Sequence, residues 1–356
     1  MHLLDYFYEQ DFSKIKLNSR KVVISKGNTF LYGVSGSGKS HVVYDFLSSC
    51  EFGSYLYLDF SNVKFEDIDV WKIELFIRNN NIKILVLDSY DFRFNALPPV
   101  TQTIITSNRN WNEKCLKGFV KQQIFPLDFE EFIAFHKKTT EAGQLFDKFM
   151  LHGNLPYFAN IQSNADKEKQ NIIRSMFANE MKYFLFLEAV KYQATKVSKH
   201  KIFQNLKQKH KISKDFVYEN LEDLEELFML GKLSSYEKPN IFKYFLFDFS
   251  LKSSFFLQKD FNHHFENMVY LRLIRQNKNL YFDSFFDFLL PQKKEAFLVI
   301  TFSPLTVIKR RVKNIVKKIS QKDVKIIKII TINTSAAFMD SGIKVEVEPF
   351  YVWALS

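Results

Sequence analysis

One eight-residue run constrains this chain more than any other. Gly33-Val34-Ser35-Gly36-Ser37-Gly38-Lys39-Ser40 follows an apolar β-type stretch and opens a helical one. Glycines at that spacing let the backbone curl until successive N–H groups point at one anion, and the helix N-terminus behind them adds its positive end. With a strand before it and a helix after it, the run reads as a phosphate cradle for ATP. Lys39 would reach the β- and γ-phosphates, and the Ser40 hydroxyl would ligate Mg²⁺.

Residues 28 to 127 alternate short apolar runs with helical patterns, the rhythm of a parallel sheet covered by helices. Strands are expected at Thr29 to Val34, Tyr55 to Phe60, Ile84 to Asp88, Thr103 to Thr106 and Gln123 to Leu127. Helices are expected from Lys39 and from near Phe65, with a loop from Asn95 to Val100 and a lead-in helix and strand before residue 28. Asp88 closes the run Ile84-Leu85-Val86-Leu87 at a strand end, where parallel sheets place ligand chemistry, and is expected to hold Mg²⁺ through water. Asn108, after the next strand, is placed to touch the γ-phosphate or orient the attacking water. Water attack usually needs a carboxylate beside the metal aspartate, but the next residue is Ser89, and Asp91 is the nearest acid. Binding is therefore better supported than turnover.

The chain has 356 residues, enough for two or three domains, and 46% of them are hydrophobic, including 40 Phe. The net charge of +11 suits a polyanion, although no block of five like charges marks a basic arm. Cys50 and Cys115 are far apart and lack zinc-type spacing, which argues against a disulfide framework or a zinc site and fits a reduced, cytoplasmic protein. The N-terminus lacks the pattern of a secretory signal, and no stretch approaches eighteen uninterrupted apolar residues, which argues against a membrane span.

Beyond Phe129 the period changes to 3.6, with Phe129, Phe132, Ile133 and His136 on one face and Phe146, Phe149 and Met150 on another. A Lys- and His-rich helix (Lys199 to Lys211), a helix opened by Ser213 and a hairpin (Lys232 to Phe247) then give the outline of a winged helix. The second of these helices carries Asp215, Glu219, Glu222, Asp223, Glu225 and Glu226 against Lys214 alone, which would repel DNA phosphates. The basic helix before it carries Lys199, Lys201, Lys207, Lys209 and Lys211, a pattern that is usually just a solvated face, and any nucleic-acid contact is expected through Lys-to-phosphate pairs and without sequence preference. From Phe261 onward a helix precedes strands at Leu280 to Phe282, Phe286 to Leu290 and Phe297 to Phe302. A helix (Thr306 to Ser320) and strands at Val324 to Ile332 and Ile343 to Val347 complete a small α/β domain.

With those residues in hand, the chain resembles the prokaryotic AAA-type ATPases that join a P-loop module to a winged helix and a C-terminal domain of restriction-endonuclease-like fold. Besides the nucleotide motifs, the resemblance is carried by Pro126-Leu127-Asp128-Phe129-Glu130-Glu131-Phe132 and Gly153-Asn154-Leu155-Pro156. At the C-terminus it is carried by Phe265-Glu266-Asn267-Met268-Val269 and Asp287-Phe288-Leu289-Leu290. It implies an α/β chain in four parts: a P-loop core over 1–128, a helical subdomain over 129–195, a winged helix over 196–258 and a restriction-endonuclease-like domain over 259–356.

Departures from that family matter. Ser89 stands where a glutamate is normal, and Phe119 follows Gly118 where an arginine is normal, leaving Arg109 as the nearby substitute. Glu266 and Asp287 sit at the nuclease metal positions, but Val299 and Thr301 replace the amide and lysine that would assist water, so nuclease action is not expected. The functional expectation is a Mg-ATP-binding protein acting as a slow ATPase or a nucleotide-dependent switch. The alternative is a nucleic-acid-binding module with a regulatory nucleotide site, and a partner protein is equally open.

Overall fold

The computed structural model describes every residue except 1, 2, 16, 63–67, 95, 137–140, 161–164, 239, 258, 259 and 320–322. The chain divides into two compact units, Met1–Pro126 with Glu226–Phe228, and Leu127–Glu225 with Met229–Ser356. No described helix is long and apolar enough to cross a membrane.

The first unit runs α1 (Leu3–Tyr8), β1 (Thr29–Tyr32), α2 (Lys39–Ser48), β2 (Tyr55–Asp59), α3 (Val70–Asn79), β3 (Ile84–Asp88), β4 (Gln102–Ser107) and β5 (Val120–Gln123). All five strands are parallel, in the order β2-β3-β4-β1-β5. A parallel sheet needs both faces covered, and here each face has its own core. On one face Val42, Val43 and Leu47 of α2 meet Leu31, Tyr57, Val86 and Ile104. On the other, Leu4 and Phe7 of α1 join Ile73 and Ile77 of α3 over Phe30, Leu56, Leu85, Leu87 and Ile105. The result is a parallel α/β sheet with β1 feeding the Gly33–Ser40 loop and β4 lying between β1 and the Asp88 strand.

Several boundaries differ from expectation. The fifth strand is Val120–Gln123, not Gln123 to Leu127, because β1 offers a ladder only from Thr29 to Tyr32. Its exposed polar residues make it a sheet edge that hydrophobic patterning does not mark. Among the described residues before β1 no strand forms, and Phe65, Asn95 and Ser320 lie outside the described residues.

The second unit begins with α4 (Phe129–Phe135), α5 (Ala142–His152), α6 (Ala165–Ser175) and α7 (Glu180–Lys191). Then come β6 (Lys196–Val197), α8 (Lys199–Lys207), α9 (Lys214–Glu226), β7 (Leu230–Ser234) and β8 (Phe242–Leu246), with an antiparallel sheet in the order β6-β8-β7. After α10 (Leu251–Phe255) and α11 (Phe261–Ile274) a mixed sheet is built from β9 (Phe288–Leu290), β10 (Glu295–Val299), β11 (Ile326–Thr331), β12 (Ala336–Asp340) and β13 (Ile343–Pro349). Its order is β12-β13-β11-β10-β9, parallel through β10, β11 and β13 and antiparallel at both edges. Helix α12 (Leu305–Val316) packs on one face, and α11 with α13 (Phe350–Trp353) packs on the other. The strand expected at Leu280 to Phe282 is reduced to single bridges, Tyr281 to Leu289 and Phe282 to Ser235.

The two stretches that carried the resemblance most specifically have structural work. Asp128 caps α4 by accepting from the Glu131 N–H at 2.8 Å, and Glu131 accepts from the Asp128 N–H at 3.1 Å. Arg275 neutralises both carboxylates. In the Gly153-Asn154-Leu155-Pro156 turn, Asp248 accepts from the Asn154 and Leu155 N–H groups. A side chain at Gly153 (φ +87) would strike that carboxylate at 2.3 Å, so glycine is required there.

Candidate nucleotide site

The loop after β1 is shaped by its glycines and fixed by its neighbours. Gly33 donates its N–H to the Ser107 carbonyl at 3.2 Å, and a Cβ at Gly33 would lie 2.2 Å from the Ile124 carbonyl oxygen. Gly36 (φ 78) and Gly38 (φ 95) are left-handed, and Gly38 is the N-cap of α2. Arg20 donates to the Ser37 carbonyl at 2.6 Å and to the Phe125 carbonyl at 2.8 Å, tying the loop to the chain beyond β5. The Ser37 hydroxyl is buried without a hydrogen-bond partner. Val34 is core, whereas Ser35 and Ser40 are half-buried and Gly36 is exposed.

Lys39 is only 7% exposed. Its ammonium donates to the Gly33 and Val34 carbonyls, each at 2.9 Å, and to Asn108 Oδ1 at 2.8 Å. Burial pulls its pKa down to about 8, with the charge of Asp88 acting in the opposite direction. Strand order explains the Asn108 contact, because β4 lies directly beside β1 and Asn108 follows its last residue.

Asp88 lies one strand further out and is almost wholly buried, at 2% exposure. One carboxylate oxygen accepts from the Thr106 hydroxyl of β4 and the other from the Tyr57 hydroxyl of β2. Burial, and then the charge of Asp88, push the Tyr57 phenol far up, so it stays a donor. Tyr44 of α2 shares a 3.1 Å hydrogen bond with Tyr57. None of Tyr57, Thr106 and Arg20 carries a motif. Their roles arise from strand register, which sequence patterning does not supply. Asp59 ends β2 in register with Asp88, and its side chain accepts from the Ser61 N–H at 2.9 Å and from the Ser61 hydroxyl.

The remaining expected residues stand elsewhere. Ser89 is exposed and left-handed (φ 56), and its N–H donates to the Thr106 hydroxyl at 2.9 Å. Asp91 is more than half exposed and forms a two-pronged pair with Arg93, which holds its carboxyl below the usual range. Arg109 lies over the Trp111 ring, and Phe119 packs against the core under β1. In the second unit, the Lys243 ammonium lies 2.6 Å from Glu266, and Asp287 accepts from the Val299 N–H at 2.8 Å. Burial pushes the Glu266 carboxyl up to about 7, against the pull of Lys243. Thr301 donates to Asn262 at 2.6 Å. Among the described residues no group of three or more His, Cys, Asp or Glu side chains could hold a metal ion.

No family model matches the chain, and no curated protein matches it. Among solved structures it is similar to the Walker-type ATPase PABY2304 of Pyrococcus abyssi, at 12% identity and a TM-score of 0.42, over 68% of this chain and 99% of that one.

Proposed function

We propose that this chain binds Mg-ATP at the Gly33–Ser40 loop and works as a slow ATPase or a nucleotide-dependent switch. The observation that carries the reading is the convergence of Lys39, the loop glycines and Asn108 at one end of a parallel sheet, with Asp88 on the neighbouring strand. A Mg²⁺ site beside phosphates needs few protein ligands, since the metal keeps waters and takes phosphate oxygens. One hydroxyl (Ser40) and one buried carboxylate (Asp88) fit that demand, and the unpartnered Ser37 hydroxyl suits an oxygen-rich ligand in the loop. When bound, the metal would offset the charge of the phosphates. Lys39 would turn from two carbonyls to the phosphates, and Asn108 would face the γ-phosphate or the attacking water.

Slow turnover follows from what stands beside Asp88. Ser89 has no carboxylate, and Asp91 would have to leave Arg93 before it could position water. The order α7, β6, α8, α9, β7, β8 supports a winged helix, and the α11-to-β11 order supports a restriction-endonuclease-like domain. Lys243 of β8 takes the place beside Glu266 of α11 that a metal ion would need, so no nuclease is proposed.

Thermal denaturation with and without Mg-ATP tests the reading. A ligand at ~100 times its Kd stabilises the folded state by about 2.7 kcal/mol. Lys39→Ala should remove most of the shift in Tm. An equal shift in wild type and variant would mean that the nucleotide sits elsewhere.

A further inference from the structure

The net charge of +11 has to reside on some surface, and the α8–α9 pair is a poor host for a polyanion. Lys199 of α8 is spent on Glu222 of α9 at 2.5 Å, Lys182 of α7 on Asp223, and Tyr244 donates to Glu225 at 2.8 Å. Those contacts seal the two helices to their own neighbours. Helix α12 and its closing turn differ. Lys309, Arg310, Arg311, Lys313, Lys317 and Lys318 lie within fourteen residues (305–318) that contain no acid. Its apolar side chains Ile308, Val312, Ile315 and Val316 are buried on the sheet, so the cations are left on the outer face.

That face borders a cleft of about 350 Å³, lined by Arg310, Arg311, Asn314 and Lys318 on one side and by Ser284 and Phe285 on the other. Among the described residues no acid pairs with Arg310, Arg311 or Lys318. The acids nearby are already occupied: Glu237 accepts from the Ser284 hydroxyl at 2.9 and 3.0 Å, and buried Asp283 accepts from the Phe285 and Phe286 N–H groups at 2.7 Å. Two guanidinium forks, an amide and an ammonium around one cleft match a run of phosphate oxygens better than a single carboxylate.

We propose that this cleft binds the phosphodiester backbone of nucleic acid, without reading its sequence. From Arg310 to Lys318 the helical rise is about 12 Å, the axial span of three or four phosphates of one strand. A bilayer is the poorer partner, because the apolar face of α12 is already covered and has nothing to insert into an interface. The proposal is independent of the nucleotide reading, since no part of the Gly33–Ser40 loop enters it.

Fluorescence anisotropy of a labelled 30-base-pair DNA, titrated with the full chain without nucleotide at several salt concentrations, tests it. About three neutralised phosphates give a slope of log affinity against log salt near −3. Arg310→Glu with Arg311→Glu should weaken binding at least tenfold and flatten the slope by about two. Arg310→Gln with Arg311→Gln should weaken it less and in the same direction. Lys201→Glu with Lys209→Glu on α8 and its end should change affinity less than twofold, and Lys39→Ala should leave it unaltered. Absence of binding by wild type at low salt would overturn the proposal. So would loss of binding in the α8 pair with retention in both α12 pairs, or tighter binding to vesicles containing phosphatidylserine than to DNA.

Discussion

The buried ammonium of Lys39 makes nucleotide affinity depend on pH in a specific direction. Its pKa falls from an ordinary 10.5 to about 8, chiefly because the side chain is cut off from water. At roughly 1.4 kcal/mol per pH unit, that difference corresponds to about 3 kcal/mol of cost for keeping the charge in the free protein. Bound phosphates favour the charged form and raise the pKa again. Binding therefore needs no added proton below pH 8 and takes one up above it. Affinity for Mg-ATP is expected to be nearly constant up to pH 7, to be about twofold weaker at pH 8 and to weaken toward tenfold per unit beyond, reaching about 30-fold at pH 9.5. The second ionisation of the phosphate, near about 6, is complete before this window opens. Isothermal titration calorimetry in buffers of different ionisation heat reads both the affinity and the proton taken up. Lys39→Arg, whose side chain stays charged, should bind with no such pH dependence, and Lys39→Met should bind weakly at every pH. A wild-type affinity constant to pH 9.5, or the same decline in Lys39→Met, would refute the argument.

Three further outcomes follow from the structure. Gly33→Ala should cost about 3 kcal/mol or more in urea denaturation, because its Cβ would meet the Ile124 oxygen at 2.2 Å. Gly118→Ala, with open space around it but a left-handed backbone, should cost only about 1–2 kcal/mol, and equal losses would show that the close approach is not the cause. Lys243→Met leaves Glu266 buried without its cation, at a cost of about 3–5 kcal/mol when the carboxylate is charged. Because the folded pKa of Glu266 is raised from 4.5 to about 7, the stability it contributes is present below 4.5 and lost as pH rises through 7, so the variant should be much weaker at pH 8 than at pH 6. Equal stability at both values would contradict this. Ser89→Glu should raise single-turnover hydrolysis without tightening ATP binding, by less than the ~10²–10⁴-fold of a well-placed carboxylate because its backbone is left-handed. Asp91→Ala should leave the wild-type rate unchanged, and loss of turnover in that variant would show that Asp91 has taken the role.

The parts of this molecule legible in the sequence are those whose chemistry is contiguous. The glycine loop, the strand ending at Asp88 and the turn at Asn108 each announce themselves within ten residues. Register is not contiguous, and what it decides could not be read. Tyr57 reaches Asp88 across thirty-one residues and Thr106 across eighteen. Strand β5 is an exposed polar edge, so its four residues lack the apolar run by which strands are recognised. Strand β12 is also a half-exposed edge, but four of its five residues are apolar, and the left-handed Ser341 and Gly342 that join it to β13 are a hairpin turn that sequence reading can find. Helix α12 starts within one residue of expectation and ends at Val316, four residues before the expected Ser320, because a buried stripe at a 3.6-residue spacing fixes the body of the helix but not its end. What the stripe does not reveal is that all the charge on the opposite face has one sign.

Lys39, Asn108 and Asp88 already have partners within the protein, and this bears on how binding can proceed. Lys39 gives three hydrogen bonds to oxygens, and Asp88 receives two from hydroxyls. Hydrogen bonds of a charged ammonium to carbonyls contribute about 1.5–3 kcal/mol each. Phosphate oxygens add a full opposite charge and so a stronger bond, which makes exchanging loop carbonyls for phosphate oxygens favour the ligand. Asp88 is a different case. Its donors sit on β2 and β4, the strands on either side of β3, so the carboxylate is held by the sheet and not by the loop. If it turned fully to a metal ion, the buried Tyr57 hydroxyl would keep only Tyr44, and Thr106 would lose its acceptor. Contact through water lets Asp88 keep both hydroxyls while still opposing the metal's charge. On the proposed reading, Asp88 would therefore act through water and direct ligation would fall to Ser40, with the aspartate held in place by the sheet.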